Sequence, residues 1–207
     1  MTELLCETQR ADAQRNHRLL LEAAAAAFSE RGIDVPAEEI ARRAGVAKGT
    51  LFRHFPTKED LVAAVLIDRL GQVRALASDI ATAPDIGLPA IAEFMARAAE
   101  LIAADRSFFD AAMRDGAERP AIVAAKLALQ SELSALLSRA QAGGNVRGDV
   151  VGADIAMLIL AATNTCAPAH ALHPELWRRY LALMVDALRP GNTTKLTVPP
   201  LEIASSL

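Results

Sequence analysis

Residues 37–56, AEEIARRAGVAKGTLFRHFP, decide how this chain is read. Ile40, Ala41 and Ala44 fall at i, i+1 and i+4, which makes one apolar stripe on a short helix. Gly45 stands where a left-handed C-cap belongs. A second short helix, from Lys48 to His54, then carries Leu51 inward. Two helices cross this closely only through small contact residues, and Ala41 and Ala44 supply them. The spacing is that of a helix-turn-helix over 37–56. Between Ile40 and Lys58 stand five basic residues (Arg42, Arg43, Lys48, Arg53, Lys58), His54 and no acidic residue. The sequence therefore predicts an unopposed basic face, suited to a phosphate backbone.

Outward from that stretch, the net charge of −3 is unevenly divided. Residues 1–58 hold nine Lys/Arg against eight Asp/Glu, a balance of +1, and residues 59–207 carry the remaining −4. The basicity is a local patch on an acidic body, as expected of a domain that grips DNA through one surface. At 207 residues the chain is long enough for one large or two small domains. Alanine is abundant, and aromatic residues make up only 4%. Helices packed through small side chains are expected, so the fold class is all-α.

Met1 to Arg10 lacks the apolar stretch of a secretory signal and carries two glutamates. The longest apolar run, near Ile155 to Ala162, falls short of the ~18 residues of a membrane span, so no membrane partner is expected. The two cysteines, Cys6 and Cys166, are far apart and suggest no disulfide framework; a reducing cytoplasm fits.

The pattern predicts about nine helices. The first runs from about Asp12 to Arg31, with Leu20, Ala24, Ala27 and Phe28 on one face and Gly32 as its stop. Pro36 suits the first turn of the second helix. Thr57 reads as an N-cap with Asp60 three residues on, opening a fourth helix toward Ile80. Further helices are expected at about Leu88 to Ala104, Ser107 to Arg114, Pro120 to Ala142, Gly152 to Asn164 and Pro174 to Leu188.

The residues Leu20-Leu21-x-Ala23-Ala24, Phe28 and Gly32 continue into Glu39-Ile40-Ala41-x-x-Ala44-Gly45-Val46-x-x-Gly49-Thr50-Leu51-Phe52-x-His54-Phe55-x-x-Lys58. Together they resemble the N-terminal domain of TetR-type transcriptional regulators, over about residues 14–72. The resemblance implies a DNA-binding domain at 14–72, a helical ligand-binding and dimerisation domain at 73–190, and a flexible tail at 191–207. It implies a homodimer that binds double-stranded operator DNA, usually as a repressor released by a small-molecule effector. A ligand-independent DNA-binding or architectural protein, or an activator, is the alternative. No nucleophile elbow, phosphate-binding glycine loop or zincin motif is visible, so no enzyme activity and no cofactor are expected.

On this reading Arg43, Ala47, Lys48, Gly49, Thr50, Phe52, Arg53, His54 and Lys58 meet DNA. Lys48 is the expected base reader, because a long cationic donor suits guanine O6 and N7. Gly49 costs a helix roughly 1 kcal/mol relative to alanine, which suggests close approach of DNA or of another helix. Phe52 replaces the family's usual Tyr and loses a hydroxyl bond to phosphate. Val35-Pro36 replaces a Thr cap that also reaches phosphate, and Arg43, with Arg15 or Arg18 of the first helix, is expected to replace that contact. Lys58 opposes its own helix dipole, which a docked phosphate would reconcile.

In the C-terminal part, Ile91, Phe94, Met95, Phe108, Phe109, Met113, Leu129, Met157 and Asn164 are the candidate lining of an aliphatic, uncharged effector site. Ile155, Leu158, Ile159, Trp177, Tyr180, Leu181, Met184 and Leu188, with Leu176, lie on two helices apolar over much of their circumference. They are the candidate dimer interface. Cys166, His170 and His173 form a C-x3-H-x2-H cluster without a fourth ligand, so no metal site is expected.

Overall fold

The structure is a computed structural model that describes residues 2–105, 108–109, 111–113, 118–166, 172–191 and 194–201, with side chains from Asp12 onward. Among the described residues the chain is helical and has no strand. The helices are α1 (Thr2–Arg31), α2 (Ala37–Arg43), α3 (Lys48–His54), α4 (Lys58–Ala81), α5 (Leu88–Ala104), α6 (helical residues 108–109 and 111–113), α7 (Pro120–Ala142), α8 (Gly152–Thr165) and α9 (Leu176–Asp186). Alpha1 starts ten residues before the expected Asp12. No Gly or Pro interrupts residues 2–11, so nothing there stops a helix whose apolar face begins only at Leu20.

The chain divides into two compact units. The first comprises residues 1–68 and 105–117, the second residues 69–104 and 118–207, with one boundary inside α4. Assigning 105–117 to the first unit departs from the division expected at residue 72. An aromatic contact explains it: Phe28 of α1 stacks on Phe108, with centroids 5.6 Å apart and planes 5° from parallel. Both rings are fully buried. Around them the first unit buries Leu20, Ala24 and Ala27 of α1, Ile40 and Ala41 of α2, and Leu51 of α3.

The second unit is built on α8, which packs against α5, α7 and α9. Its core joins Ile91, Phe94 and Met95 of α5 to Leu133, Leu136 and Leu137 of α7. Ile155 and Ile159 of α8 and Trp177 and Leu181 of α9 complete it. At its edge Arg178 of α9 stacks its guanidinium 4.5 Å from the Trp177 ring centroid and pairs with Glu100 of α5. Arg139 of α7 donates to the carbonyls of Ala81 and Ala83, satisfying backbone acceptors where α4 ends.

One composition reading changes. Alpha7 is in fact long and apolar enough to cross a membrane, because its alanines leave few charges in an 18-residue window. It packs instead against α5 and α8, with Ile122, Leu133, Leu136 and Leu137 buried. Lys126 lies buried on the same stripe, and burial lowers its pKa.

Candidate nucleic-acid interface

The turn between α2 and α3 is fixed by backbone chemistry. Gly45 adopts φ +69°, which L side chains rarely adopt. Its N–H donates to Arg42 O at 3.2 Å, and the Val46 N–H donates to Ala41 O at 3.0 Å, the pair of bonds that closes a Schellman motif. Pro36 is the residue before α2 rather than its first turn, and neither it nor Ala47 before α3 supplies a side-chain cap. Alpha4 is capped instead: Asp60 N–H donates to Thr57 Oγ1 at 3.1 Å, and Thr57 N–H donates to Asp60 Oδ2 at 3.1 Å.

Leu51 and Phe55 anchor α3 in the core, so the remaining residues of its turns face outward. Ala47, Lys48, Gly49, Phe52 and Arg53 are exposed, while Thr50, His54 and Lys58 are half-buried. A Cβ added to Gly49 would meet nothing within 4 Å. Packing inside the protein therefore does not require glycine there.

The basic face is not unopposed. Lys48 pairs with Glu38 of α2 and lies 5.8 Å from the centroid of the Phe52 ring. Arg43 donates to Glu39 at 2.9 Å and to Glu30 of α1 at 2.8 Å, and Arg31 donates to the same Glu39 at 2.6 Å. The Lys48 ammonium holds the Glu38 carboxyl below its ordinary range, and Arg43 followed by Arg31 does so for Glu39. Sequence reasoning missed these carboxylates because residues 30, 38 and 39 lie outside the acid-free window; only the i,i+4 spacing of Glu39 and Arg43 was readable. Among the described residues, Arg53 and Lys58 have no ion-pair partner. Arg18 pairs with Glu22 on its own helix at 3.7 Å.

His54 is among the residues expected to meet DNA. Its ring lies edge-on to His17 of α1 with centroids 5.8 Å apart, and His17 lies 4.9 Å from Phe55. His17 carried no signal in the sequence, since histidine on a polar helix face has no distinguishing period.

Residues 20–65 match the family described as bacterial regulatory proteins of the tetR family, and residues 88–190 match the SbtR-like transcriptional regulator C-terminal domain. The TetR transcription regulatory protein from Mycobacterium vanbaalenii has 37% identity and a TM-score of 0.65, over 87% of this chain and 99% of that one. The chain belongs to the TetR family of transcriptional regulators. A second TetR regulator, from Streptomyces coelicolor, is 28% identical over 84% of this chain and 99% of its own, with a TM-score of 0.64. A third similar structure, described as the molecular basis for control of antibiotic production by a bacterial hormone, is 26% identical over 84% and 97%, with a TM-score of 0.65.

In this TetR-family regulator the nine expected effector residues are divided between the two units. Ile91, Phe94 and Met95 lie in the core of the second unit, with Leu129 packed partly against it. Phe108, Phe109 and Met113 belong to the first unit. Met157 and Asn164 are exposed on α8. Helical periodicity had marked them as apolar or central without fixing which face of α8 turns inward.

The residues of the expected dimer face are likewise divided, between the core and the surface. Ile155, Ile159, Trp177, Leu181 and Leu188 are buried in the chain's own core, and Leu158 and Met184 pack partly against it. Tyr180 alone of that set is exposed. Near it in sequence Leu183 is 61% exposed, and Met157 on α8 is 40% exposed. Alpha8 is apolar on two faces and the core takes one of them, whereas the outward face of α9 mixes Tyr180 and Leu183 with the exposed Arg178, Arg179 and Asp186. Cys166 is buried where α8 ends and His173 is exposed, while His170 lies outside the described residues.

Proposed function

We propose that this TetR-family regulator is a ligand-responsive repressor. It binds a palindromic operator as a dimer in the cytoplasm and is released by a small, mainly apolar effector. The observation that carries the reading is the outward face of α3. Lys48, Gly49, Phe52 and Arg53 stand exposed there on a helix anchored by Leu51, and Gly49 leaves open space at its centre. One helix this short reads few bases, so two copies on half-sites about one helical turn apart are needed for a specific site.

Exposed Met157, Tyr180 and Leu183 on α8 and α9 favour that second copy as their cover. The similar structure concerned with a bacterial hormone favours control by a small molecule. Within the second unit, the Ile91, Phe94 and Met95 side of α5 is the proposed region for the effector, as its apolar lining suits an apolar molecule. The test is selection of DNA fragments by the purified protein, then a screen for compounds that release the selected duplex. Enrichment of a two-fold symmetric sequence and its release by a small molecule are expected. Enrichment with no symmetry would reject the dimeric reading.

A further inference from the structure

We propose that Glu38 is a specificity-determining residue of the DNA face, acting with Lys48 as a carboxylate–ammonium reader of a C·G base pair. The inference rests on α3 reading DNA. Glu38 stands in the first turn of α2 and Lys48 is the first residue of α3, so the ion pair joins the two helices of the motif at its outer surface. The ammonium is also held 5.8 Å from the Phe52 ring, itself 36% exposed. Both charged side chains are more than half exposed. An exposed pair of this kind stabilises a fold little, and the helix-dipole gain of a first-turn carboxylate needs no partner on Lys48, so stability does not account for the pairing itself.

The carboxylate acts on DNA in two ways. It competes with phosphate for the Lys48 ammonium, and it repels the backbone wherever α2 approaches it. Binding to an arbitrary sequence is thereby weakened. In the major groove, guanine O6 and N7 accept from an ammonium and the cytosine N4 amino group donates to a carboxylate. A C·G pair satisfies both members at once. An A·T pair also offers a donor, adenine N6, but sets it between its two acceptors, N7 and thymine O4. Only a C·G pair places two adjacent acceptors for the ammonium beside a terminal donor for the carboxylate.

The experiment compares wild type, Glu38→Gln, Lys48→Met and the double variant. The probes are the duplex selected by the wild-type protein, its single-pair variants and a scrambled duplex. Glu38→Gln should bind scrambled DNA several-fold more tightly and lose about tenfold of discrimination at one C·G pair per half-site. In the Lys48→Met background the same substitution should leave that discrimination unchanged. Equal strengthening on selected and scrambled DNA, or the same loss with and without Lys48, would overturn the pairing. If the wild type prefers no duplex, the DNA-reading proposal itself fails. A wild-type preference untouched by Glu38→Gln defeats only the present inference.

Discussion

The His17 ring on α1 lies edge-on to the His54 ring at the end of α3, with centroids 5.8 Å apart. The contact ties α1 to α3. His17 has a lowered pKa, first because burial disfavours its charged form and second because of His54. The unfolded chain, with histidine titrating near about 6.5, binds that proton more tightly than the folded one. Stability therefore falls as pH drops below about 6.5 and continues to fall until the lower folded value is passed. His17→Gln should flatten this part of a thermal-denaturation profile against pH. An unchanged slope would show that the pair is not responsible.

Gly49 separates folding from function. Alanine there should stabilise α3 by up to about 1 kcal/mol, since the new Cβ meets nothing within 4 Å in the free protein. The same methyl should weaken binding to the selected duplex. Denaturation and gel-shift titrations on Gly49→Ala are expected to move in opposite directions. Tighter DNA binding would refute close approach at this position.

The reciprocal cap of α4 depends on Thr57 and Asp60. Thr57→Ala should cost about 1 kcal/mol of stability, equivalent to roughly 2–4 °C in Tm for a chain of this size. Differential scanning calorimetry reads the change.

Phe28 stacks on Phe108 and is fully buried. Phe28→Ala should cost about 3–5 kcal/mol in the first unit. Limited proteolysis within residues 12–68 should follow, with the second unit retaining its protection. Loss of protection in both units together would mean that the chain unfolds as one body.

Leu183→Glu tests the proposed cover of the α8 and α9 surface. The side chain is exposed, so the substitution should leave the fold intact and shift the sedimenting species from dimer to monomer. A dimer of unchanged stability would place the interface elsewhere.

The motif was legible in the sequence because its constraints are local. Gly45, the Ile40–Ala44 stripe and the Thr57–Asp60 spacing each act within five residues, and the structure places each as its chemistry predicts. What the sequence hid was pairing across elements. Glu38, across the turn from Lys48, and Glu30, across from α1, neutralise part of a face that looked wholly basic, because helix packing brings each to its partner, and Glu39 adds a pair within α2. Alpha8 and α9 hid their orientation for a related reason. Apolar residues stand on both sides of each helix, so which of them face the core is not fixed until the neighbours are known, and Ile155 and Trp177 turned inward while Met157 and Leu183 turned out.

The central claim is that α3 of this regulator reads DNA, with Lys48 contributing sequence preference and Lys58 general affinity. Fluorescence anisotropy of wild type, Lys48→Ala and Lys58→Ala on the selected and scrambled duplexes, across a salt series, tests it most directly. Lys48→Ala should lose preference for the selected duplex. Lys58→Ala should weaken both duplexes by the same factor and reduce the magnitude of the salt slope by about 0.9. Unchanged affinity of both variants on both duplexes would contradict the account.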